Sequence, residues 1–481
     1  MQLVSVPICL RAWGPERYGA WLALFASFML LRTIDSGYGN YVATQVNVLY
    51  HVNRNDMRRS LAAALPLCLA LNVVQLLVCG VLVVTGRSAW LLGASAADIA
   101  RFELNTALLA LILAWMLSGS YMSVVHRLLI PIGMMYQAQW WGIAFNIATT
   151  GAVVVAALLG ASILQAALIL AAMQGAVYLA SGVYIRAKAP EYFPWWSSQD
   201  LKLGGQDFAR STLLTAAGVG QQSITNGIVV FVSSMFGAAN VPTFTTIRTL
   251  ANLWLMLGNV FGAPMLPEVV RFHGTRDHDK LIKAFRAHWF FGGVLVNGSM
   301  IALLPLLELI YRRWTHGDLR FERGLLSCAM ASVSLTNFAL VLNVYLAGIN
   351  DLRAQLLTMI ARAVLTFGVS FALIPWFSLT GIGIAMMVAE LTCSVVLAVY
   401  FTNRKLADLG ARLSSREVLA ALLMPLPMHI LALQTIVIHR IDNASCAVAM
   451  LVLLVLTWRG WRSLDSEIKV RALSVLRRRF R

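Results

Sequence analysis

The chain has 481 residues, of which 59% are hydrophobic and only 12% charged, and its formal net charge is +17. Soluble domains average about 45–50% apolar and about 25% charged residues, so a soluble globular domain is excluded. Apolar runs of roughly 20 residues recur, and such runs read as membrane-spanning helices because backbone polar groups in lipid must be satisfied within the segment. Short alternating segments, the mark of a membrane barrel, are absent from the sequence.

In chain order, the opening stub MQLVSVPICL is too short to span a bilayer. It has no basic region before it and no small-residue cleavage site after it, which argues against a secretory signal. It reads as the second half of a first helix, with a start upstream expected. Thirteen further apolar stretches follow, near 18–50, 59–85, 105–125, 136–160, 163–185, 209–235, 240–270, 287–311, 324–348, 354–375, 379–402, 417–438 and 443–458. With the stub this predicts an all-α polytopic membrane protein of about 14 transmembrane helices, the first truncated.

The basic charge orients the chain rather than marking a nucleic-acid partner. If the first helix ends outside, only Arg11, Arg17, Arg87, Arg101, Arg312, Arg313, Arg320, Arg323 and Arg440 face outward, and Arg32, Arg248 and Arg362 lie deep in helices. The rest of the 38 Lys and Arg fall on the cytoplasmic side, the positive-inside bias. One outer loop, RRWTHGDLRFER (312–323), is basic against that trend. The tail ending RALSVLRRRFR is expected to be cytoplasmic.

Cys9, Cys68, Cys79, Cys328, Cys393 and Cys446 all lie in apolar runs without CxxC or metal spacing, as small core residues do. The histidines form no ligand cluster, and His273 and His278 read as solvated residues of a charged loop. No metal or cofactor is expected. Gly-Ile-Gly-Ile at 381–384 lacks the strand–turn–helix setting of a nucleotide site and reads as helix packing.

Internal repetition is informative. HVNRNDMRRSLAAA (51–64) and HGTRDHDKLIKAFRA (273–287) align at a shift of 222, with His51 on His273 and Arg54 on Arg276. Six helices separate the copies, which implies a parallel repeat of two six-helix lobes. The expected organisation is an N-terminal lobe at 1–187, an interfacial linker at 188–207 with Trp195 and Trp196 at the membrane surface, a C-terminal lobe at 208–403, an extra helix pair at 404–461 and a basic tail at 462–481.

Candidate functional residues are those a membrane helix should not carry. Arg32, Asp35 and Gly39 in LLRTIDSGYGNY share one helix face near mid-depth, with Gly37 beside them permitting a bend or close packing. Charges at that depth face a bundle interior or a wet cavity. Two readings stand: a self-neutralising Arg–Asp pair, or groups that bind cargo. Arg248, Asn252 and Asn259 share a face of the helix near 240–270, and Gln221, Gln222, Thr225 and Asn226 cluster one helix earlier. Amides also bond helices together, so an architectural role is equally available to them. Arg362 and Glu390 read as a pair that neutralises itself.

RAWGPERYGAWLAL, TIDSGYGN, FGAANVPTFTTIRTLANLWL and PEVVRFHGTRDHDKL resemble the polysaccharide (O-antigen/exopolysaccharide) flippase family of the multidrug/oligosaccharidyl-lipid/polysaccharide exporter superfamily. The resemblance spans essentially the whole chain in order. It implies fourteen helices, two six-helix lobes around a central cleft plus a terminal helix pair, and a cleft lined by helices 1, 2, 7 and 8. It further implies translocation of undecaprenyl-pyrophosphate-linked oligosaccharide across the bacterial inner membrane, a cytoplasmic C-terminus, and membrane lipids and the polysaccharide polymerase machinery as partners. On that basis Arg32, Arg248, Asn252, Asn259, Gln221 and Gln222 are expected to hold substrate and Asp35 to carry a coupling ion. Arg32 stands where members of that family commonly have a neutral residue. The rival readings are a drug or organic-cation antiporter of the same superfamily, which would favour an acidic cleft, and a membrane polymerase or ligase. The latter needs a longer outer loop than this sequence offers.

Overall fold

A computed structural model of the chain describes all residues except 1, 89–91, 93–100, 195–199, 263, 439–441, 467–468 and 470–481. Trp195, Trp196, Arg440 and the end of the basic tail therefore lie outside the described residues. Every regular element among the described residues is a helix. Among the same residues, nine helices are long and apolar enough to cross a membrane, or up to eleven if each of two bent pairs is one span. Gln2–Leu31, Thr33–Val52 and Leu201–Gln222 are not among them. The chain divides into two compact units, Met1–Thr245 and Thr246–Arg481.

In the first unit, α1 (Gln2–Leu31) breaks at Gly14, which has φ 71° and ψ 171°. A positive φ suits glycine, and Pro15 then opens the second half with its φ preset. The stub and the following apolar run are thus two helical pieces, as the sequence suggests. The predicted helix at 18–50 is not continuous, however. Arg32 interrupts it, and the chain resumes as α2 (Thr33–Val52). Asn53 then caps α3 (Arg54–Val84), its side chain accepting the backbone N–H groups of Asn55 at 3.0 Å and Asp56 at 3.4 Å. The next span runs through α4 (Arg101–Ala114), a widened π-helical turn at Trp115–Gly119, and α5 (Ser120–Val125). After it come α6 (Met135–Leu158), α7 (Ile163–Lys188) behind a Ser162/Gln165 capping box, and α8 (Leu201–Gln222). A second π turn at Ser223–Gly227 leads into α9 (Ile228–Phe236) and α10 (Val241–Gly262).

Lipid tails are as apolar as leucine, so burial alone does not drive helices together in a membrane; small residues and interhelical hydrogen bonds decide the contacts. Gly37 shows this. A methyl group there would overlap the backbone of Thr215, so α2 and α8 meet backbone to backbone. Below that contact, Tyr38, Val42, Met57 and Leu61 build a core with Leu128, Leu129 and Tyr192. Arg59 holds Asp200 at 2.6 Å and Arg58 donates to the Glu191 carbonyl at 2.7 Å, tying both described ends of the 188–207 segment to the start of α3.

The second unit contains the rest of α10, then α11 (Met265–Gly274), α12 (His278–Trp314), α13 (Arg323–Gly348) and α14 (Leu352–Phe377). Next come α15 (Leu379–Glu390), a third π turn at Leu391–Leu397 and α16 (Ala398–Ala407). The chain ends through α17 (Ser415–Leu422), α18 (Leu426–Ile438) and α19 (Asn443–Ser463). The predicted helix at 417–438 bends by 53° between α17 and α18, where Pro425 supplies no N–H to continue the ladder. α13 is the centre of this unit, with 89% of its apolar window buried. Trp289 stacks on Phe338 at 5.4 Å, and Phe285 and Tyr345 pack on them. Gly383 lies where a methyl group would come within 2.9 Å of Cys328 Cβ, and Gly381 lies comparably close to Leu373, so the Gly-Ile-Gly-Ile segment serves packing.

Two surface expectations need correction. His273 is not simply solvated: its ring meets Tyr345, with Nδ1 3.1 Å from the phenol oxygen. His278 is exposed. The basic loop 312–323 is largely neutralised in place. Glu308 accepts from Arg312 Nη2 at 2.8 Å and Arg323 Nε at 3.0 Å, while Arg320 pairs with Glu322 at 3.0 Å. The six cysteines are buried and free.

Candidate functional site

The site in the first unit is built around the interruption between α1 and α2. Arg32 still donates its backbone N–H to Phe28 at 3.0 Å, so the chain turns with little loss of helical direction. Its guanidinium carbon lies 3.9 Å from the centre of the Trp115 ring and 5.8 Å from that of Phe28, and Nη1 reaches Met29 Sδ at 3.5 Å. A guanidinium over an indole face is held by the ring quadrupole.

Asp35, one turn further on, is 3% exposed. Its Oδ2 accepts from Trp115 Nε1 at 3.1 Å and from the Ser120 hydroxyl. Its Oδ1 is buried with no hydrogen-bond partner. Gln75 of α3 faces the same carboxyl. The π turn explains how two donors five residues apart reach one oxygen. On an ordinary α-helix, positions i and i+5 point about 140° apart. Here the Ser120 N–H bonds back to the Trp115 carbonyl, which brings the two side chains over one another. Gly119 leaves the room the indole needs, because a methyl group there would overlap the Trp115 ring.

Arg32 and Asp35 therefore share a face, as their spacing implies, but no ion pair joins them among the described contacts. The two side chains do not touch directly; an indole stands between them. Gly39 lies on the same face, 3.5 Å from Val124 for an added methyl, whereas Gly37 turns toward α8.

Beside Arg32 opens a cavity of about 180 Å³ within the first unit. Trp21, Phe25 and Phe28 from α1 and Phe145 from α6 form its walls. Gln174 of α7 also lines it, 3% exposed and with an amide nitrogen that has no partner. Gln221 and Gln222 sit apart from this cavity, at the end of α8. Gln221 donates to Thr225 at 3.3 Å, and Gln222 accepts from Asn226 at 2.5 Å across the second π turn.

In the second unit, Arg248 and Asn252 are half-buried on α10 and Asn259 is exposed. The expected Arg362–Glu390 pair is present: Nε lies 2.9 Å from Oε1, both side chains are nearly buried, and Ser394 donates to Oε2 at 2.5 Å from the third π turn. No group of His, Cys, Asp and Glu that could hold a metal occurs among the described residues.

The reading of the sequence missed Trp115, Ser120 and Gln174. One signal was available: tryptophan favours the membrane surface, and Trp115 sits inside an apolar run.

These helices, in this order, match solved transporters. The fold is that of the MATE transporters. The chain is similar to the inward-facing conformation of a multidrug resistance MATE family transporter of the MOP superfamily, at 16% identity and a TM-score of 0.64, covering 85% of this chain and 95% of that one. An outward-facing conformation of such a transporter matches at 17% identity and a TM-score of 0.56, over 84% and 91% of the two chains. The MATE multidrug transporter DinF-BH, solved in complex with rhodamine 6G, matches at 15% identity and a TM-score of 0.59, over 83% and 90%. No family model matches the chain, and no curated protein does. The MATE likeness is one of fold, and at these identities cargo has to be argued from the residues.

Proposed function

We propose that the chain is an alternating-access transporter of the bacterial inner membrane, with a cytoplasmic C-terminus, whose cargo is an undecaprenyl-pyrophosphate-linked oligosaccharide moved from the inner to the outer leaflet. The observation that carries the reading is the aromatic cavity with Arg32 at its edge and the unpartnered amide of Gln174 in its wall. A pyrophosphate cannot enter hydrocarbon unaided, because stripping water from an isolated charge is prohibitive. A guanidinium offers it forked, charge-assisted bonds. Within the second unit Arg248 is a further cation and Asn252 and Asn259 are amides suited to sugar hydroxyls, as Gln221 and Gln222 are within the first unit. Asp35 is the coupling carboxyl: its Oδ1 makes no hydrogen bond and is available to a proton. The MATE fold supports alternating access, since relatives of that fold are known in inward-facing and outward-facing forms.

A second reading has its own support. Solved structures of this fold include multidrug transporters, one of them in complex with rhodamine 6G, which favours an organic-cation antiporter. A half-buried guanidinium beside the cavity opposes it, because a cationic cargo would be repelled there.

Reconstitution into vesicles separates the two. With a fluorescent polyprenyl-pyrophosphate-linked saccharide in one assay and rhodamine 6G in the other, the lipid-linked saccharide should cross and the dye should not. Arg32→Gln should slow crossing about 10- to 100-fold, the loss of one hydrogen bond to a charged group. Dye efflux without saccharide movement would establish the antiporter instead.

A further inference from the structure

We propose that Trp115 is a positioning residue that links the two charges, releasing Arg32 to an anion when Asp35 takes up a proton or cation. The inference rests on the assignment of Asp35 as the coupling carboxyl and Arg32 as the anion site. It adds the part that joins them.

The indole has two working surfaces. Its face holds the Arg32 guanidinium at 3.9 Å, and its N–H edge donates to Asp35 Oδ2 at 3.1 Å. Among the described hydrogen bonds and ring contacts, Trp115 is the residue that touches both charged side chains; the charges also act on each other and on Tyr178 through space. With Asp35 ionised, the N–H bond is charge-assisted and the indole is pinned beneath the guanidinium. A proton on the unpartnered Oδ1 turns Oδ2 into a carbonyl-type acceptor, and a neutral bond is roughly half as strong. With the indole no longer pinned, the guanidinium it holds is freer to turn into the cavity, where an anion becomes its best partner. The π turn places Trp115 and Ser120 on the same oxygen, and the absence of a side chain at Gly119 lets the ring lie there.

The other ionisable groups around this point are Cys68 of α3 and Tyr178 of α7, with Tyr121 of α5 beyond Cys68. Asp207 of α8 lies toward Tyr38 instead. None of these is a second carboxylate against Asp35, so the link is assigned to Asp35 alone.

The test is modification of Arg32 by phenylglyoxal in the purified full chain, read by peptide mass spectrometry as a ratio to the exposed Arg416. The ratio should rise about fivefold as pH falls across about pH 9 to pH 5, a range that brackets carboxyls in protein interiors. Asp35→Asn should fix the ratio at its high value. Trp115→Phe keeps a ring face but no N–H edge, and should leave Arg32 labelling independent of pH. If that variant does not fold, Gly119→Ala displaces the indole without altering it and should do the same.

A wild-type pH response retained in Trp115→Phe or Gly119→Ala overturns the proposal, as does a wild-type ratio that ignores pH. Farnesyl pyrophosphate supplies the arm that isolates the cargo. Protection of Arg32 at low pH supports the anion assignment. Absence of protection with the pH link intact sinks that assignment and leaves the link standing.

Discussion

Two Arg–acid neighbourhoods within the helices differ in a way that substitutions can read. Arg362 and Glu390 touch directly at 2.9 Å, whereas Arg32 and Asp35 are separated by an indole. For a direct buried pair, removing one partner strands a charge and costs about 3–5 kcal/mol, while replacing both by apolar side chains of similar volume is close to neutral. Glu390→Gln should therefore lower thermal stability in detergent, and Arg362→Met/Glu390→Met should restore most of it. The other neighbourhood should behave oppositely in function: Arg32→Gln/Asp35→Asn should transport no better per inserted molecule than either single change. Recovery in that double variant would return both residues to architecture. The ionisable members of both sites were legible in the sequence, because four charges stand out against apolar runs. Their partners were not. Trp115 showed only as a tryptophan deep in an apolar run, with nothing to tie it to Asp35, and Ser120 and Gln174 look like ordinary helix residues until the fold brings them to Asp35 and the cavity.

At the scale of the helix, α2 offers a paired test of close approach. Gly37→Ala places a methyl into the backbone of Thr215 and should destabilise by about 1–3 kcal/mol, the cost of overpacking. Gly39→Ala meets Val124 at 3.5 Å, ordinary contact, and should stay within about 0.5 kcal/mol. Equal losses in a detergent melt would remove the α2–α8 contact from this account. The cap of α8 gives a pH dependence. The Leu203 N–H and then the Arg59 side chain hold the Asp200 carboxyl below its usual range. A carboxyl depressed on folding contributes stability that is present above its unfolded value, about 3.9, and is lost as pH falls through the folded value. Asp200→Asn keeps a good cap but does not titrate. The stability difference between wild type and Asp200→Asn should thus shrink toward about pH 3, measured as melting temperature against pH. Helix existence was readable from apolar length throughout. The interruptions at Arg32, 115–119, 223–227 and 391–397 were not, since a turn widened by one residue carries no signature in composition.

For the molecule as a whole, charge bias predicts orientation, and the buried cysteines make it measurable. All six are free and buried, so a membrane-impermeant maleimide should meet little background on intact cells. Gly317→Cys, in the 312–323 loop, should label from outside, and Thr275→Cys only after the membrane is opened. The reverse pattern would invert the topology. Hydropathy fixed the class of fold at the sequence level, since spans of this length admit few alternatives. Hydropathy also explains why identity to MATE structures is only 15–17%: lipid requires that a position be apolar, not which apolar residue fills it. The three π turns bear on descent. Each inserts one residue into a span without lengthening it, and rotates everything beyond by about 100° relative to a helix without it. A relative lacking the turn at 115–119 would carry its next residues out of phase, and a true alignment must open a one-residue gap inside a membrane helix. Ancestry in such chains is recorded in phase shifts within helices as much as in the letters of the sequence.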